Sequence, residues 1–172
     1  MPRAGFQPHA RMLEQRASGY RRGQPWTEAP QPNEAADGLW MSASEMARFS
    51  SMLFAGGKYG GKYSDKDSGK RVLTEKSAQT LLDLDTVAGG GLDLDCRIAL
   101  SWLAAPCGDD LVSAASVREH SGATEAFHAR WVLAPQDKLA VLVMSNSDSG
   151  ESLVASVSTT AMRMMRQAKQ GR

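Results

Sequence analysis

The sequence predicts an α+β fold in which helices pack against an antiparallel β-sheet. Two apolar segments, 126–133 and 139–144, are separated by the turn-forming residues Pro135-Gln136-Asp137, which is typical of an antiparallel hairpin. A capping box over Ser42–Glu45 and a helical apolar stripe after Gly150 predict helices before and after this hairpin. No repeat with a period of roughly 20 to 50 residues is visible, which excludes solenoids and propellers.

The first 38 residues are the exception to this regular pattern. They contain five prolines and little apolar periodicity, which predicts extended or irregular chain. An irregular segment of this length usually belongs to a larger framework that holds it. We therefore expect that part of this framework lies outside the sequence.

Two helices are expected in the next part of the chain. Ser42 caps the first, which apolar spacing and Gly56-Gly57 place at about 43–55. Thr74 caps the second, which should end near Leu84. Gly, Lys, Ser and Asp dominate residues 56–70 between them and predict an exposed loop rather than a phosphate-binding loop, because no strand precedes it.

The strands follow in order. Arg97–Ala104 alternates and predicts one strand, and Val112–Arg118 predicts another. The segment 126–133 should be half-buried, with Trp131 and its alternate neighbours on one face and His128 and Arg130 on the other. The continuous apolar segment 139–144 predicts a central strand covered on both faces.

The terminal helix is expected to begin at Ser149–Glu151 and to pack across the hairpin. Its predicted packing stripe is Leu153, Val157, Ala161, Met164 and Ala168.

Composition narrows the classes of function. The 172 residues are 42% hydrophobic and 23% charged, as in an ordinary globular protein, with a formal charge of +1. The basic residues are dispersed apart from Arg21-Arg22 and a tail from Arg163, so no nucleic-acid partner is expected. The sequence shows neither a signal peptide nor a membrane span.

Metal and cofactor chemistry is not expected either. The three histidines lack ligand spacing with suitable partners. The two cysteines, Cys96 and Cys107, cannot build a disulfide framework, and whether they pair is left open.

Four segments together carry a family pattern, in the family's order along the chain. They are Ala17-Ser18-Gly19-Tyr20, Gly38–Phe49, Ala99-Leu100-Ser101-Trp102, and His120-Ser121-Gly122 followed by a strand, a turn and an apolar strand ending at Ser145-Asn146. They resemble the class C β-lactamase, penicillin-binding protein and esterase family of serine hydrolases. The resemblance implies a partial β-lactamase/transpeptidase-like fold that lacks its N-terminal portion. Residues 1–38 would then be an irregular segment of the missing part, and 39–172 the C-terminal part of the domain.

The resemblance also implies a site. His120-Ser121-Gly122 stands where relatives have Lys-Thr-Gly, so these three residues would bind substrate, Ser121 through its hydroxyl group. The amide of Ala123 would be one of two oxyanion donors. The expected substrate of the full-length parent is a small lactam, ester or peptide, and no cofactor is needed.

Two of the family's three motifs are absent from this sequence. No serine is followed three positions later by lysine, and the nearest variants, Ser18 with Arg21 and Ser68 with Arg71, place a guanidinium that cannot act as a base. No tyrosine begins a Tyr-x-Asn motif. A triad of Ser121 with His120 and Asp109 or Asp110 is disfavoured, because adjacent strand residues point to opposite faces.

The sequence therefore predicts a truncated or split serine hydrolase, of which this chain is a C-terminal fragment without its nucleophile and inactive alone. A separately encoded N-terminal portion is one way to complete it. The alternative is a non-catalytic binding or interaction module with a remnant hydrolase fold. For the parent, the family implies the periplasm, although this sequence carries no export signal. Unpaired sheet edges and an uncovered apolar face on the terminal helix predict self-association.

Overall fold

The computed structural model describes residues 4–27, 33–60, 69–83, 97–104 and 117–171. Its helices are α1 (Ala10–Glu14), α2 (Glu34–Asp37), α3 (Ala43–Phe54), α4 (Glu75–Leu82) and α5 (Glu151–Gln170). Its strands are β1 (Gly19–Arg21), β2 (Gln24–Trp26), β3 (Lys58–Tyr59), β4 (Lys70–Arg71), β5 (Arg97–Ala99), β6 (Trp102–Ala104), β7 (Arg118–Ala123), β8 (His128–Ala134) and β9 (Leu139–Ser145). The predicted α+β class is confirmed.

The central sheet is an antiparallel meander in the order β5-β6-β7-β8-β9. The β8–β9 hairpin predicted from the turn at 135–137 is confirmed, and its register runs from His128↔Ser145 to Ala134↔Leu139. The α3 helix is also confirmed: Ser42 Oγ accepts a hydrogen bond from the Glu45 amide at 3.3 Å.

The prediction of one strand over Arg97–Ala104 is wrong, because β5 and β6 form a hairpin there. The chain reverses at Leu100-Ser101, where Leu100 adopts a φ of 53°. Glycine or asparagine usually marks such a left-handed turn position, so leucine gave no signal of a turn. The strand expected over 112–118 begins at Arg118 in the structure, and residues 112–116 lie outside the described ranges.

The sheet is covered on both faces, and the burial of β8 differs from expectation. Val132 and Ala134 pack with Met162 of α5, whereas Trp131 and Leu133 pack with Met52 and its neighbours on α3. Strand β8 is therefore buried on both faces rather than half-buried. Among the described strands β9 lies at the edge of the sheet rather than at its centre. Its predicted cover on both faces is confirmed, since Val141 packs with Met162 and Leu142 packs with Trp131.

The buried face of α5 also differs from the predicted stripe. Leu153, Val157 and Met164 are 53%, 42% and 63% exposed, and the buried residues are Val154, Ser158 and Met162. Two sets of residues on α5 recur at helical spacing, and the sheet contacts the set that contains Ser158. A search for apolar residues at helical spacing does not find this set, because Ser158 is polar and bonds to the buried Arg130 of β8.

Short regular elements occur within residues 1–38, where irregular chain was expected. The β1–β2 hairpin is attached to the chain after β9: the Tyr20 amide donates to Asn146 O at 2.8 Å, and the Asp148 amide donates to Tyr20 O at 3.0 Å. The division of the chain at residue 38 stays a prediction. None of the helices in the described ranges is both long and apolar enough to cross a membrane.

Candidate active site

Strand β7 carries all four residues that the sequence nominated for the site. His120, Ser121, Gly122 and Ala123 are exposed at its C-terminal end. The inner edge of β7 pairs with β8 along its whole length, whereas β6 pairs with it only at Glu119 and the preceding arginine. In the described part of the chain, the outer edge of β7 is therefore unpaired after Glu119.

The register of the β7–β8 pair determines where the backbone amides point. The Thr124 amide donates to Phe127 O at 2.8 Å and continues the ladder, so Thr124 and Phe127 are a hydrogen-bonded pair. Hydrogen-bonded and non-hydrogen-bonded pairs alternate in an antiparallel ladder. The amides of Ser121 and Ala123 consequently point away from β8, toward the unpaired edge. This is the direction that a backbone oxyanion donor requires.

The side chains of the nominated residues divide between the two faces of the sheet. His120 lies opposite Trp131, on the α3 face, and Ser121 lies opposite Arg130, on the α5 face. His120 and Ser121 therefore point in opposite directions and cannot form a nucleophile–base pair. Asp109 and Asp110 lie outside the described residues.

A pocket of about 300 Å³ opens beside the exposed end of β7. It is lined by Ser101, Trp102, Leu103, His120 and Ser121. The three residues from the β5–β6 hairpin were not nominated from the sequence as site residues. The motif Ala99-Leu100-Ser101-Trp102 could have indicated them, since it belongs to the pattern shared with the family.

The floor of this pocket is aromatic and fixed. Trp102 is 5% exposed and packs edge-on against Trp131, with 4.7 Å between ring centroids. The Trp131 indole N–H donates to Ser50 Oγ at 3.0 Å, and Phe49 contacts the same ring. The Trp131 indole is thus fixed by α3, and Trp102 packs against it.

The sequence matches the β-lactamase family over residues 1–161. The chain belongs to the β-lactamase family. Its fold is similar to the octameric penicillin-binding protein homologue from Pyrococcus abyssi, with a TM-score of 0.64, 17% identity, and coverage of 97% of this chain and 34% of that chain. It is also similar to the class C β-lactamase from Rhodobacter sphaeroides, with a TM-score of 0.63, 15% identity, and coverage of 94% of this chain and 50% of that chain.

These comparisons confirm the family and the partial β-lactamase/transpeptidase-like fold. The chain spans about a third and a half, respectively, of the two solved structures. No protein of curated function matches the sequence.

In this β-lactamase-family chain, a buried ion pair supports the site strand from behind. Arg130 is 5% exposed and pairs with Glu119 of β7. Its guanidinium also donates to Thr159 Oγ1 at 2.9 Å and to Ala155 O at 3.1 Å. Strand β7 is thus linked through β8 to α5. The sequence predicted the face of Arg130 but not these partners, which are far apart in the chain.

The turn that follows Ala123 is supported by the β1–β2 hairpin. Glu125 accepts a hydrogen bond from the Trp26 indole at 3.0 Å and pairs with Arg21 at 3.5 Å. Gly19 packs so closely that an added Cβ would lie 2.9 Å from the Cβ of Ala126. The Ala-x-Gly-Tyr segment of this β-lactamase-family chain therefore positions the turn next to the predicted oxyanion donor.

The described residues show no arrangement for metal chemistry. A ring nitrogen of His128 is 3.2 Å from Asp148 O, so this histidine has a structural hydrogen bond. Among the described residues, no group of three His, Cys, Asp or Glu side chains could hold a metal ion. Cys96 and Cys107 lie outside the described ranges.

Proposed function

We propose that this chain contributes the substrate-binding strand and one oxyanion donor to a serine hydrolase that acts by acyl transfer on lactams, peptides or esters. The observation that carries the proposal is the direction of the Ala123 amide, which points out of the unpaired edge of β7 beside the pocket. Donors fixed at the position where negative charge develops contribute strongly to acyl transfer.

The remaining site residues have roles consistent with this chemistry. The Ser121 hydroxyl group would donate to a carbonyl or carboxylate oxygen of the substrate, and His120 would contribute a second polar group at the pocket wall. A Cβ added to Gly122 would meet no atom within 4 Å, so open space remains beside the strand. A substrate backbone would lie in this space.

The nucleophile in our proposal comes from outside residues 1–172. A serine Oγ would attack the acyl carbonyl carbon while a base from the same outside portion takes the hydroxyl proton, and the electron pair of the C=O bond would move to the oxygen, which accepts from the Ala123 amide. The base would then pass this proton to the leaving group. Collapse of this intermediate would expel the protonated leaving group, and water would then hydrolyse the acyl-serine. No Ser-x-x-Lys exists in this sequence, so the chain alone would not turn over substrate.

We propose that an N-terminal portion carrying Ser-x-x-Lys completes the site, encoded either upstream in the same reading frame or separately. Two features favour it: the solved structures are longer than this chain, and Leu153, Val157 and Met164 leave an apolar face of α5 exposed. Solvent-exposed apolar patches of this kind often mark contact surfaces.

The test begins with the reading frame upstream of the Met1 codon, searched for Ser-x-x-Lys and Tyr-x-Asn. The polypeptide that includes both motifs is then treated with a fluorophosphonate probe, which labels activated serines. Ala123→Pro removes the proposed oxyanion donor, whereas Ala123→Gly keeps the N–H group and is the matched control. We expect the proline variant to react roughly 100-fold more slowly or worse, and the glycine variant to react within a few-fold of wild type.

Equal reactivity of the proline and glycine variants would remove Ala123 from the mechanism. Absence of both upstream motifs, together with reversible ligand binding by this chain, would instead support the non-catalytic binding module.

A further inference from the structure

The turn that follows Ala123 is closed by two hydrogen bonds of its own. The Thr124 amide donates to Phe127 O at 2.8 Å, and the Phe127 amide donates to Thr124 Oγ1 at 3.2 Å. Strand β7 ends at Ala123, so the turn begins at the next residue. A displacement of this turn would therefore change the direction of the Ala123 amide.

An exposed carboxylate within the turn is bound by the β1–β2 hairpin. One oxygen of Glu125 accepts from the Trp26 indole at 3.0 Å, and the other lies 3.5 Å from the Arg21 guanidinium. The Arg21 guanidinium also lies over the Trp26 ring, 4.8 Å from its centroid. Each of these three residues thus contacts the other two, and together they are called the Glu125 cluster below.

The hairpin is itself attached to the chain after β9. The backbone of Tyr20 bonds to Asn146 O and to the Asp148 amide. The Asn146 side chain donates in addition to Ser18 O at 2.8 Å. The Glu125 cluster therefore connects the turn after Ala123 to the segment between β9 and α5.

The energies of these contacts indicate a local effect of the cluster. An ion pair between exposed side chains contributes little to the free energy of unfolding, and Arg21 and Glu125 are 41% and 51% exposed. The hydrogen bond from the indole is stronger because its acceptor is charged, but it restrains only the turn. A displacement of a reacting group by about 1 Å can nevertheless slow a reaction about 100-fold.

We infer that Glu125 is a positioning residue: through Trp26 and Arg21 it fixes the turn and hence the direction of the Ala123 amide. The inference rests on the proposed function, in which this amide is an oxyanion donor. It gives the β1–β2 hairpin a role in the reaction without any contact between the Glu125 cluster and the substrate.

Amide hydrogen exchange of the full chain, followed by NMR, measures the restraint directly. Trp26→Phe removes the indole donor but keeps an aromatic ring, and Glu125→Leu removes the acceptor. We expect the Thr124 and Phe127 amides to exchange about three- to tenfold faster in both variants, which is the effect of losing one hydrogen bond. Amides of the β8–β9 ladder should keep their wild-type rates. Trp40→Phe changes an indole outside the cluster and is the matched control, which should leave the two turn amides unchanged.

A rate measurement separates positioning from a general structural role. In the polypeptide that includes the upstream motifs, Trp26→Phe should slow fluorophosphonate labelling about tenfold, which is part of the loss expected for a displaced donor. In the Ala123→Pro background the same substitution should have no further effect, because the donor that the cluster positions is already absent. Glu125→Gln keeps an acceptor for the indole and should react faster than Glu125→Leu.

Unchanged exchange of both turn amides in Trp26→Phe and Glu125→Leu would overturn the inference and leave the proposed function standing. Equal slowing by Trp26→Phe in the wild-type and Ala123→Pro backgrounds would also overturn it, because the cluster would then act on the fold as a whole. Equal labelling rates of Ala123→Pro and Ala123→Gly would overturn the proposed function itself. Faster exchange in the cluster variants would then show a restrained turn that has no role in the reaction.

Discussion

At the scale of single residues, the pair formed by Glu119 and Arg130 connects the candidate site to the core. The two side chains are 14% and 6% exposed, and Arg130 bonds to three groups of α5 in addition. Removal of one partner from a buried pair leaves an uncompensated charge, which costs more than the pair contributes. The stability of β7 should therefore depend on this pair.

We expect Glu119→Gln to lower the free energy of unfolding by about 3 kcal/mol in urea denaturation. The double variant Glu119→Leu, Arg130→Met should lose less free energy of unfolding than Glu119→Gln does, because it leaves no charge buried. Glu125→Gln is the control: it breaks the exposed pair with Arg21 and should change stability by less than about 0.5 kcal/mol. A double variant less stable than Glu119→Gln would contradict the assigned role.

Leu100 gives a second prediction at this scale. It has a φ of 53° at the β5–β6 turn and is 50% exposed, so its conformation is unfavourable and little apolar burial compensates. Leu100→Gly should raise the free energy of unfolding by about 0.5 to 1 kcal/mol. Leu39→Gly, at a similarly exposed leucine without positive φ, should lower it. Thermal unfolding measures both, and destabilisation by Leu100→Gly would refute the argument.

At the scale of single residues, the sequence predicted those features that depend on a short motif. The placement of His120, Ser121, Gly122 and Ala123 together on a substrate-binding strand followed from the family motif. The pocket residues Ser101–Leu103 did not, because a leucine occupies the turn that brings them next to β7.

At the scale of elements, the β1–β2 hairpin and the β7–β8 turn form a close contact around Gly19. A Cβ at this position would approach Ala126 and Phe127 to 2.9 and 3.0 Å. A side chain there would force the hairpin away from the turn that follows Ala123. The prolines and the weak apolar periodicity predicted irregular chain for residues 1–38. The β1–β2 hairpin was not predictable, because it depends on tertiary hydrogen bonds that leave no pattern in a short segment.

We expect Gly19→Ala to lower the free energy of unfolding by about 1 to 3 kcal/mol. Gly122→Ala should change it by less than about 0.5 kcal/mol, because a Cβ there meets no atom within 4 Å. Two variants with equal stability would argue against the close contact at Gly19.

The terminal helix shows why an apolar stripe does not identify a packing face. Both faces of α5 carry apolar residues, and the sheet contacts the face with Val154, Ser158 and Met162. The hydroxyl group of Ser158 accepts from Arg130, so the packed face of the helix includes a polar contact with β8. Pairing of this kind is invisible to a periodicity argument.

At the scale of the whole molecule, α5 exposes an apolar face in the described part of the chain. Leu153, Val157 and Met164 should drive concentration-dependent self-association of the isolated chain. Replacement of these three residues by glutamine should yield a monomer in sedimentation velocity. Glutamine at the exposed Ser152, Ser156 and Arg163 should leave the association unchanged. A wild-type chain that is a monodisperse monomer with cooperative unfolding would contradict this expectation.

The family, the α+β class and the β8–β9 hairpin were predictable because each depends on patterns within short segments. The partners of Arg130, the β5–β6 turn and the buried face of α5 depend on residues distant in the chain. The candidate site combines both kinds of information: a motif defines the strand, and long-range contacts hold it.

The most direct test of the central claim is to locate fluorophosphonate labelling by peptide mass spectrometry, on this chain alone and on the polypeptide that includes the upstream motifs. We predict no label within residues 1–172 and stoichiometric label on the serine of the upstream Ser-x-x-Lys. Stoichiometric label on Ser121, or on any other residue of this chain, would contradict the account.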